Sequence, residues 1–376
     1  MNVLHLYRTY FPDSQGGLEE VIRQICLGTR DNGVNSRVFT LSDEPYPERL
    51  PRPEAEVIRV SKTFEIASCG VSLTGMGQFR REVEWADIVH YHYPWPFADL
   101  LYGLAGQGKP SILTYHSDVV RQKLLLGVYK PLMNKYLDAM DMIVATSPNY
   151  FATSEVLGRY ADKVEVIPIG LDEPSYPDVV NHNLELEAAE ARIGSNFFLF
   201  VGVLRYYKGL HILLDAIKGA PYKVIIAGSG PVEAELRKQA ERLGLDNVVF
   251  AGFVSDREKM LLFQLCCGVV FPSYLRSEAF GVTLLEGAMS SKPLISAEIG
   301  SGTTHVNIHG ETGLVVPPGN SRALRDAMDS LYFDREKASQ MGARARQRYE
   351  QLFTGAQMGV RYTEAYTKIL SGWAQR

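Results

Sequence analysis

One rhythm, run twice along the chain, constrains the fold more than any single motif. Short apolar runs rich in β-branched residues alternate with amphipathic stretches of helical length, as expected of β-α-β units whose parallel strands are buried on both faces. Residues 2–7, 36–41, 57–60, 87–91, 111–115, 142–146 and 164–168 are the expected strands of a first half. The alternation restarts at 197–202 and continues through 223–227, 248–251, 268–271, 293–296 and 313–316. Between the halves, residues 170–194 carry Pro174, Pro177 and an acidic run, which reads as a linker ending in a helix. At 376 residues the chain is long enough for two packed domains. The expectation is therefore an α/β protein with two doubly wound, Rossmann-like domains, residues 1–170 and 195–354, facing across a cleft at their strand ends. Residues 321–331, 335–352 and 357–373 read as successive helices, and the last segment, about 355–376, is free to pack back on the first domain.

Composition narrows the function classes. Hydrophobic residues make up 46% and charged residues 22%, enough for large cores. Lys and Arg total 39 against 43 Asp and Glu, a net charge of −4, which argues against a dedicated nucleic-acid binder because such proteins need a basic field. No apolar run reaches membrane-spanning length and the first residues lack the pattern of a signal peptide, so a cytoplasmic location is expected. Cys26, Cys69, Cys266 and Cys267 show no C-x-x-C spacing and are expected to be reduced.

Candidate ligand groups fall at strand ends. Gly16 and Gly17 open a helix after the first strand, where backbone amides are free to meet an anion, although such a pair at a strand-to-helix turn is also commonplace. Gly202 ends the strand that leads into Arg205, Lys208 and Gly209, two cations suited to a diphosphate or simply solvated. Gly228-Ser229-Gly230-Pro231 ends another strand and supplies donors at a further helix start, or is only a tight turn. The most specific segment runs from Ser277 to Met289, where Glu278 and Glu286 stand eight residues apart around Gly281. A carboxylate inside an apolar helix is costly to bury alone, so Glu286 should meet a ligand hydroxyl, ribose being a natural one, or a cation. His116 follows a middle strand of the first half, where it is either a ligand contact or a structural histidine, as are His90 and His92.

Together these pieces resemble the family 4 retaining glycosyltransferases of the GT-B fold over nearly the whole chain. The resemblance rests on the glycine pair, the histidine after a middle strand, Lys208-Gly209, the Gly228 turn and the E-x7-E of Glu278 and Glu286, with Phe280-Gly281 inside it. It implies that amides near Gly16 and Gly17, with Arg205 and Lys208, hold the donor diphosphate, joined by amides of Val282 and Thr283. It implies further that Glu278 contacts the transferred sugar, Glu286 the ribose and His116 the sugar from beside it. The base would lie near Gly252-Phe253-Val254 and Pro272-Ser273. In one respect the chain departs from the family pattern: Val203 stands where members commonly carry the arginine, and Arg205 comes two residues later.

The resemblance also implies chemistry. The bond from the anomeric carbon to diphosphate breaks with retention, and Lys208, Arg205 and helix amides stabilise the departing charge without a metal. No D-x-D pair is present, in keeping with that expectation. The stretch from Val119 to Leu137 carries Arg121, Lys123, Lys130 and Lys135 and no acid among apolar residues. It reads either as a membrane-surface contact that presents a lipid-linked acceptor or as an ordinary helix, with Pro131 interrupting or kinking it. Within the family the Arg205–Leu210 and Ser273–Gly281 segments look most like bacterial mannosyltransferases of O-antigen and exopolysaccharide assembly, which makes GDP-mannose the expected donor. The competing expectations are a nucleotide-sugar epimerase of the same fold and an inactive nucleotide-sugar-binding subunit.

Overall fold

A computed structural model describes residues 1–66, 69–118 and 123–375. The chain divides into two compact units, Met1–Gly170 with Gly355–Arg376, and Leu171–Thr354.

The first unit is built on an eight-stranded sheet. Its strands are β1 (Asn2–Leu6), β2 (Asn35–Ser42), β3 (Arg49–Pro51), β4 (Glu56–Ser61), β7 (Ile88–Tyr93), β8 (Ser111–Tyr115), β9 (Met142–Ala145) and β10 (Val164–Val166). A separate antiparallel pair, β5 (Phe64–Ile66) and β6 (Cys69–Val71), completes the set. The sheet order is β10-β9-β8-β7-β1-β2-β4-β3, parallel except for β3. The central strands are buried on both faces because helices cover both, and β1, β7 and β8 are buried almost throughout.

The C-terminal helix Gly355–Trp373 belongs to this unit and crosses the helix Gly17–Arg30. A Cβ on Gly359 would lie 1.9 Å from the Gly28 carbonyl oxygen, so only glycine permits the two backbones to approach this closely. Tyr362 and Tyr366 of the same helix are buried against the sheet.

The second unit holds six parallel strands: β11 (Phe198–Val201), β12 (Val224–Ala227), β13 (Val248–Gly252), β14 (Gly268–Phe271), β15 (Leu294–Ala297) and β16 (Gly313–Val316). Their order is β13-β12-β11-β14-β15-β16. In chain order this is 3-2-1-4-5-6, the doubly wound arrangement in which connections leave β11 and β14 in opposite directions. The crevice outside the carboxyl ends of those two strands is where such sheets bind ligands.

The linker region ends in a helix, as expected: Asn183–Ile193, preceded by a 3-10 turn at Glu173–Ser175. Two expectations need correction. The edge strand β3 and the β5–β6 pair were not expected; each strand is three residues long, too short for a period to show. The helix Lys123–Ala139 runs through Pro131 as one element. Proline removes one helical hydrogen bond there, and buried Met133, Tyr136 and Leu137 anchor the turns that follow. The start of the expected basic stretch, residues 119–122 with Arg121, lies outside the described residues.

Candidate functional site

The loops after β11, β12 and β14 meet backbone to backbone. A Cβ on Gly228 would lie 2.1 Å from the Gly202 oxygen, and one on Gly230 2.5 Å from the Leu204 oxygen. Gly209, in the left-handed region at φ +71°, leaves 2.1 Å between such a Cβ and the Pro272 oxygen. The Tyr274 amide donates to the Tyr207 carbonyl at 3.0 Å and the Leu204 amide to Ser229 at 2.9 Å. Gly228 and Gly230 therefore serve loop-on-loop packing directly.

This packing gathers charge at the switch point. Lys208, which ends the short 3-10 turn after β11, forms an ion pair with Glu278 from the loop after β14. Ser273 Oγ donates to the same carboxylate at 3.2 Å. The Lys208 ammonium also lies 4.6 Å from the centre of the Phe271 ring. Immediately after Glu278, Gly281 takes φ +92° and caps the helix Val282–Met289, a conformation that glycine adopts without strain. The first amides of a helix have no intrahelical acceptor, so those of Val282 and Thr283 remain for an anion. Thr283 Oγ1 donates to the Val201 carbonyl at 3.0 Å and so ties the helix start to the end of β11.

Glu286 is buried, and its helix position is met by a cation: Lys259 Nζ donates to Oε1 at 2.7 Å. Asp256 approaches the same ammonium at 3.0 Å. Burial alone would lower the Lys259 pKa, but the Glu286 and Asp256 carboxylates more than reverse this and raise it. Of the two partners the sequence allowed for Glu286, the structure supplies the cation. Of the residues expected near the base, Pro272 is buried, Val254 half-buried and Phe253 69% exposed.

Arg205 is not part of the Lys208 group. It is exposed and borders a hollow of about 140 Å³ shared with Tyr206, His211, Glu235 and Tyr274.

In the first unit, Gly16 caps the helix Gly17–Arg30 with extended backbone. The anion nearest this terminus is the protein's own. Glu19 is buried, accepts from Ser14 Oγ at 2.7 Å and sets Oε2 2.7 Å from where a Gly16 Cβ would be.

His116, directly after β8, is 5% exposed and is not alone. Its Nε2 lies 3.0 Å from His92 Nδ1, and His92 Nε2 lies 3.1 Å from His5 Nδ1. His90 stacks on His92 with ring centres 4.3 Å apart and is held by Tyr366 at 2.8 Å and Thr114 at 2.7 Å. Burial drives His5 and His116 down to about 3 and His90 and His92 well below the usual histidine value. Burial thus favours the neutral form of all four. The missed signal is the alternation His90-Tyr91-His92-Tyr93, which in a strand puts both histidines on one face.

Residues 164–348 match the family described as Glycosyl transferases group 1, and residues 15–173 the family described as Glycosyltransferase Family 4. The chain is 52% identical over 354 residues to the D-rhamnosyltransferase WbpZ of Pseudomonas aeruginosa, covering 94% of this chain and 92% of that one. It is 46% identical over 370 residues to the O-antigen chain mannosyltransferase C of Escherichia coli, covering 98% and 99%. Among solved structures, sucrose-phosphate synthase from Thermosynechococcus elongatus is similar with a TM-score of 0.80, 21% identity and 99% coverage of both chains. Anabaena HepE in complex with UDP and glucose is similar with a TM-score of 0.78 at 21% identity, covering 97% and 99%. These structural likenesses establish the fold.

Proposed function

The chain belongs to the family 4 glycosyltransferases and has their GT-B fold, and from that premise we propose that it is a retaining transferase moving mannose from GDP-mannose to a lipid-linked saccharide acceptor in O-antigen synthesis. The relatives named an O-antigen mannosyltransferase and a D-rhamnosyltransferase support this reading. D-rhamnose is 6-deoxymannose, so both names imply a donor sugar with the mannose ring configuration.

The observation that carries the proposal is the Lys208, Glu278 and Ser273 cluster at the switch point of the second unit. Lys208 and the amides of Val282 and Thr283 bind the donor diphosphate there. Glu278 orients the sugar and Glu286 accepts from the ribose hydroxyls beside Lys259. The nucleobase rests against Val254 and Pro272. His116 of the first unit serves the transferred sugar, as the family resemblance implies. The anomeric carbon–oxygen bond breaks toward the diphosphate, and the acceptor oxygen bonds to the same face of the sugar. The acceptor proton passes to the departing phosphate oxygen. Preorganised positive charge stabilises the leaving group, so the reaction requires no metal.

Among the described residues no helix is long and apolar enough to cross a membrane. We assign the acceptor-side contact to the cytoplasmic face of the membrane through the helix Lys123–Ala139, whose Lys130, Leu132 and Lys135 are exposed.

Purified protein given GDP-mannose, chelator and membranes carrying a truncated lipid-linked acceptor should release GDP and extend the acceptor with an α-linked mannose. Transfer from GDP-D-rhamnose alone would change the donor and keep the reaction class. Epimerised free sugar would instead support the epimerase, and donor binding without turnover the inactive subunit.

A further inference from the structure

Neutral imidazole carries one N–H and one lone pair, so a hydrogen-bonded row of neutral imidazoles must point all its protons the same way. His5, His92 and His116 form such a row through contacts of 3.1 and 3.0 Å. Two arrangements satisfy both contacts. In the outward one His5 Nδ1–H donates to His92 Nε2, His92 Nδ1–H donates to His116 Nε2, and His116 carries its proton on Nδ1. In the inward one every proton is on Nε2, and His116 Nδ1 is a bare lone pair.

The far end of the row decides between them. His5 is fully buried, and its Nε2 has no hydrogen-bond partner among the described residues. Inward order leaves a buried N–H orphaned at that nitrogen, whereas outward order leaves only an unfilled lone pair. Orphaned buried donors are the rarer case in native proteins. His90 acts as a wall: both its nitrogens are bonded, to Tyr366 and Thr114, while its ring stacks on His92.

We infer that His5 and His92 are positioning residues that lock His116 as its Nδ1–H tautomer, making it a hydrogen-bond donor to a substrate oxygen and not a general base. The row spans β1, β7 and the end of β8, and its register is set by the pairing of His5 with His90 and of His92 with Thr114. A proton taken by His116 would create an imidazolium in a site that burial keeps neutral, which leaves the departing phosphate as the proton acceptor. That last consequence rests on the proposed function; the tautomer does not.

The test is nitrogen NMR of the full chain labelled with 15N-histidine, read together with turnover. The parent should show His116 protonated at Nδ1 and bare at Nε2. His5→Asn keeps an N–H donor near the Nδ1 position and should preserve both the tautomer and kcat. His5→Leu and His92→Phe should release His116 toward the Nε2–H form and lower kcat by about tenfold or more, by analogy with the loss seen when the partners that orient metal-binding histidines are removed, with the donor KM unchanged. A parent His116 protonated at Nε2 would overturn the inference. So would an unchanged His116 tautomer in both His5→Leu and His92→Phe, or stoichiometric metal in the purified protein with His5, His90 and His92 as ligands. If the parent transfers no sugar from any donor, the functional reading fails, while the nitrogen spectra still decide the tautomer.

Discussion

Acidification should unfold the first unit selectively. His5, His90, His92 and His116 are buried there, and all have folded values pushed down by burial, His5 and His116 to about 3. On unfolding each returns to about 6.5. As the pH falls below that value the unfolded chain takes up protons that the folded chain refuses. Between about pH 7.5 and 5.5 each such histidine removes somewhat over 1 kcal/mol of stability, or about 5–6 kcal/mol for the four. Asp99 acts the other way. Burial lifts it to about 7 against the opposing hydrogen bond from Tyr129. Its folded form holds a proton that the unfolded form has lost, so acidification over the same interval returns about 2 kcal/mol. The net loss is about 3–4 kcal/mol, a large share of the stability of an ordinary domain. Trp85, Trp95 and Trp373 are the three tryptophans and all lie in the first unit, so intrinsic fluorescence follows that unit alone. Urea unfolding at the two pH values should show the fluorescence midpoint moving to lower urea at pH 5.5. A midpoint that stays constant or rises would refute the account of the histidines as neutral and buried.

Further expectations concern the two glutamates and the glycines. Glu286→Ala should weaken donor binding about 10- to 100-fold, the worth of one or two charge-assisted hydrogen bonds; equal calorimetric affinity in variant and parent would remove the ribose assignment. Glu278→Ala should leave donor affinity within a few fold and slow turnover by at least about tenfold, since it frees Lys208 for the diphosphate but loses the sugar contact. Gly228→Ala places a Cβ 2.1 Å from the Gly202 oxygen and should cost the second unit about 1–3 kcal/mol, seen as faster hydrogen exchange in β11 and β12. Gly359→Ala should cost the first unit a similar amount by tryptophan-monitored unfolding, because its Cβ would meet the Gly28 carbonyl.

Apart from β3, the strands of both large sheets were legible because they are short apolar runs, and the helix after Gly281 because a glycine and an apolar stretch announce it. The family was legible from the spacing of Glu278 and Glu286. Partners across the fold were not. Lys208 and Glu278 are 70 residues apart, and Lys259 stands 27 residues before Glu286. Such pairs depend on strand order, which local pattern does not encode. His116 read as a lone histidine for the same reason: its neighbour His92 faces it only through the β7–β8 pairing, and His5 joins through β1. The carboxylate of Glu19 over Gly16 depends on side-chain placement within one helical turn, which the motif alone does not convey.

The central claim, that the second unit binds a guanine nucleotide sugar through Lys208 and Glu286, is tested most directly by calorimetric titration with GDP-mannose, UDP-glucose, UDP-N-acetylglucosamine and the bare nucleotides, chelator present throughout. The account predicts binding of GDP-mannose and GDP, unaffected by chelator and lost or sharply weakened in Lys208→Ala and Glu286→Ala. Preference for the uridine compounds, or undiminished GDP-mannose affinity in both variants, would contradict it.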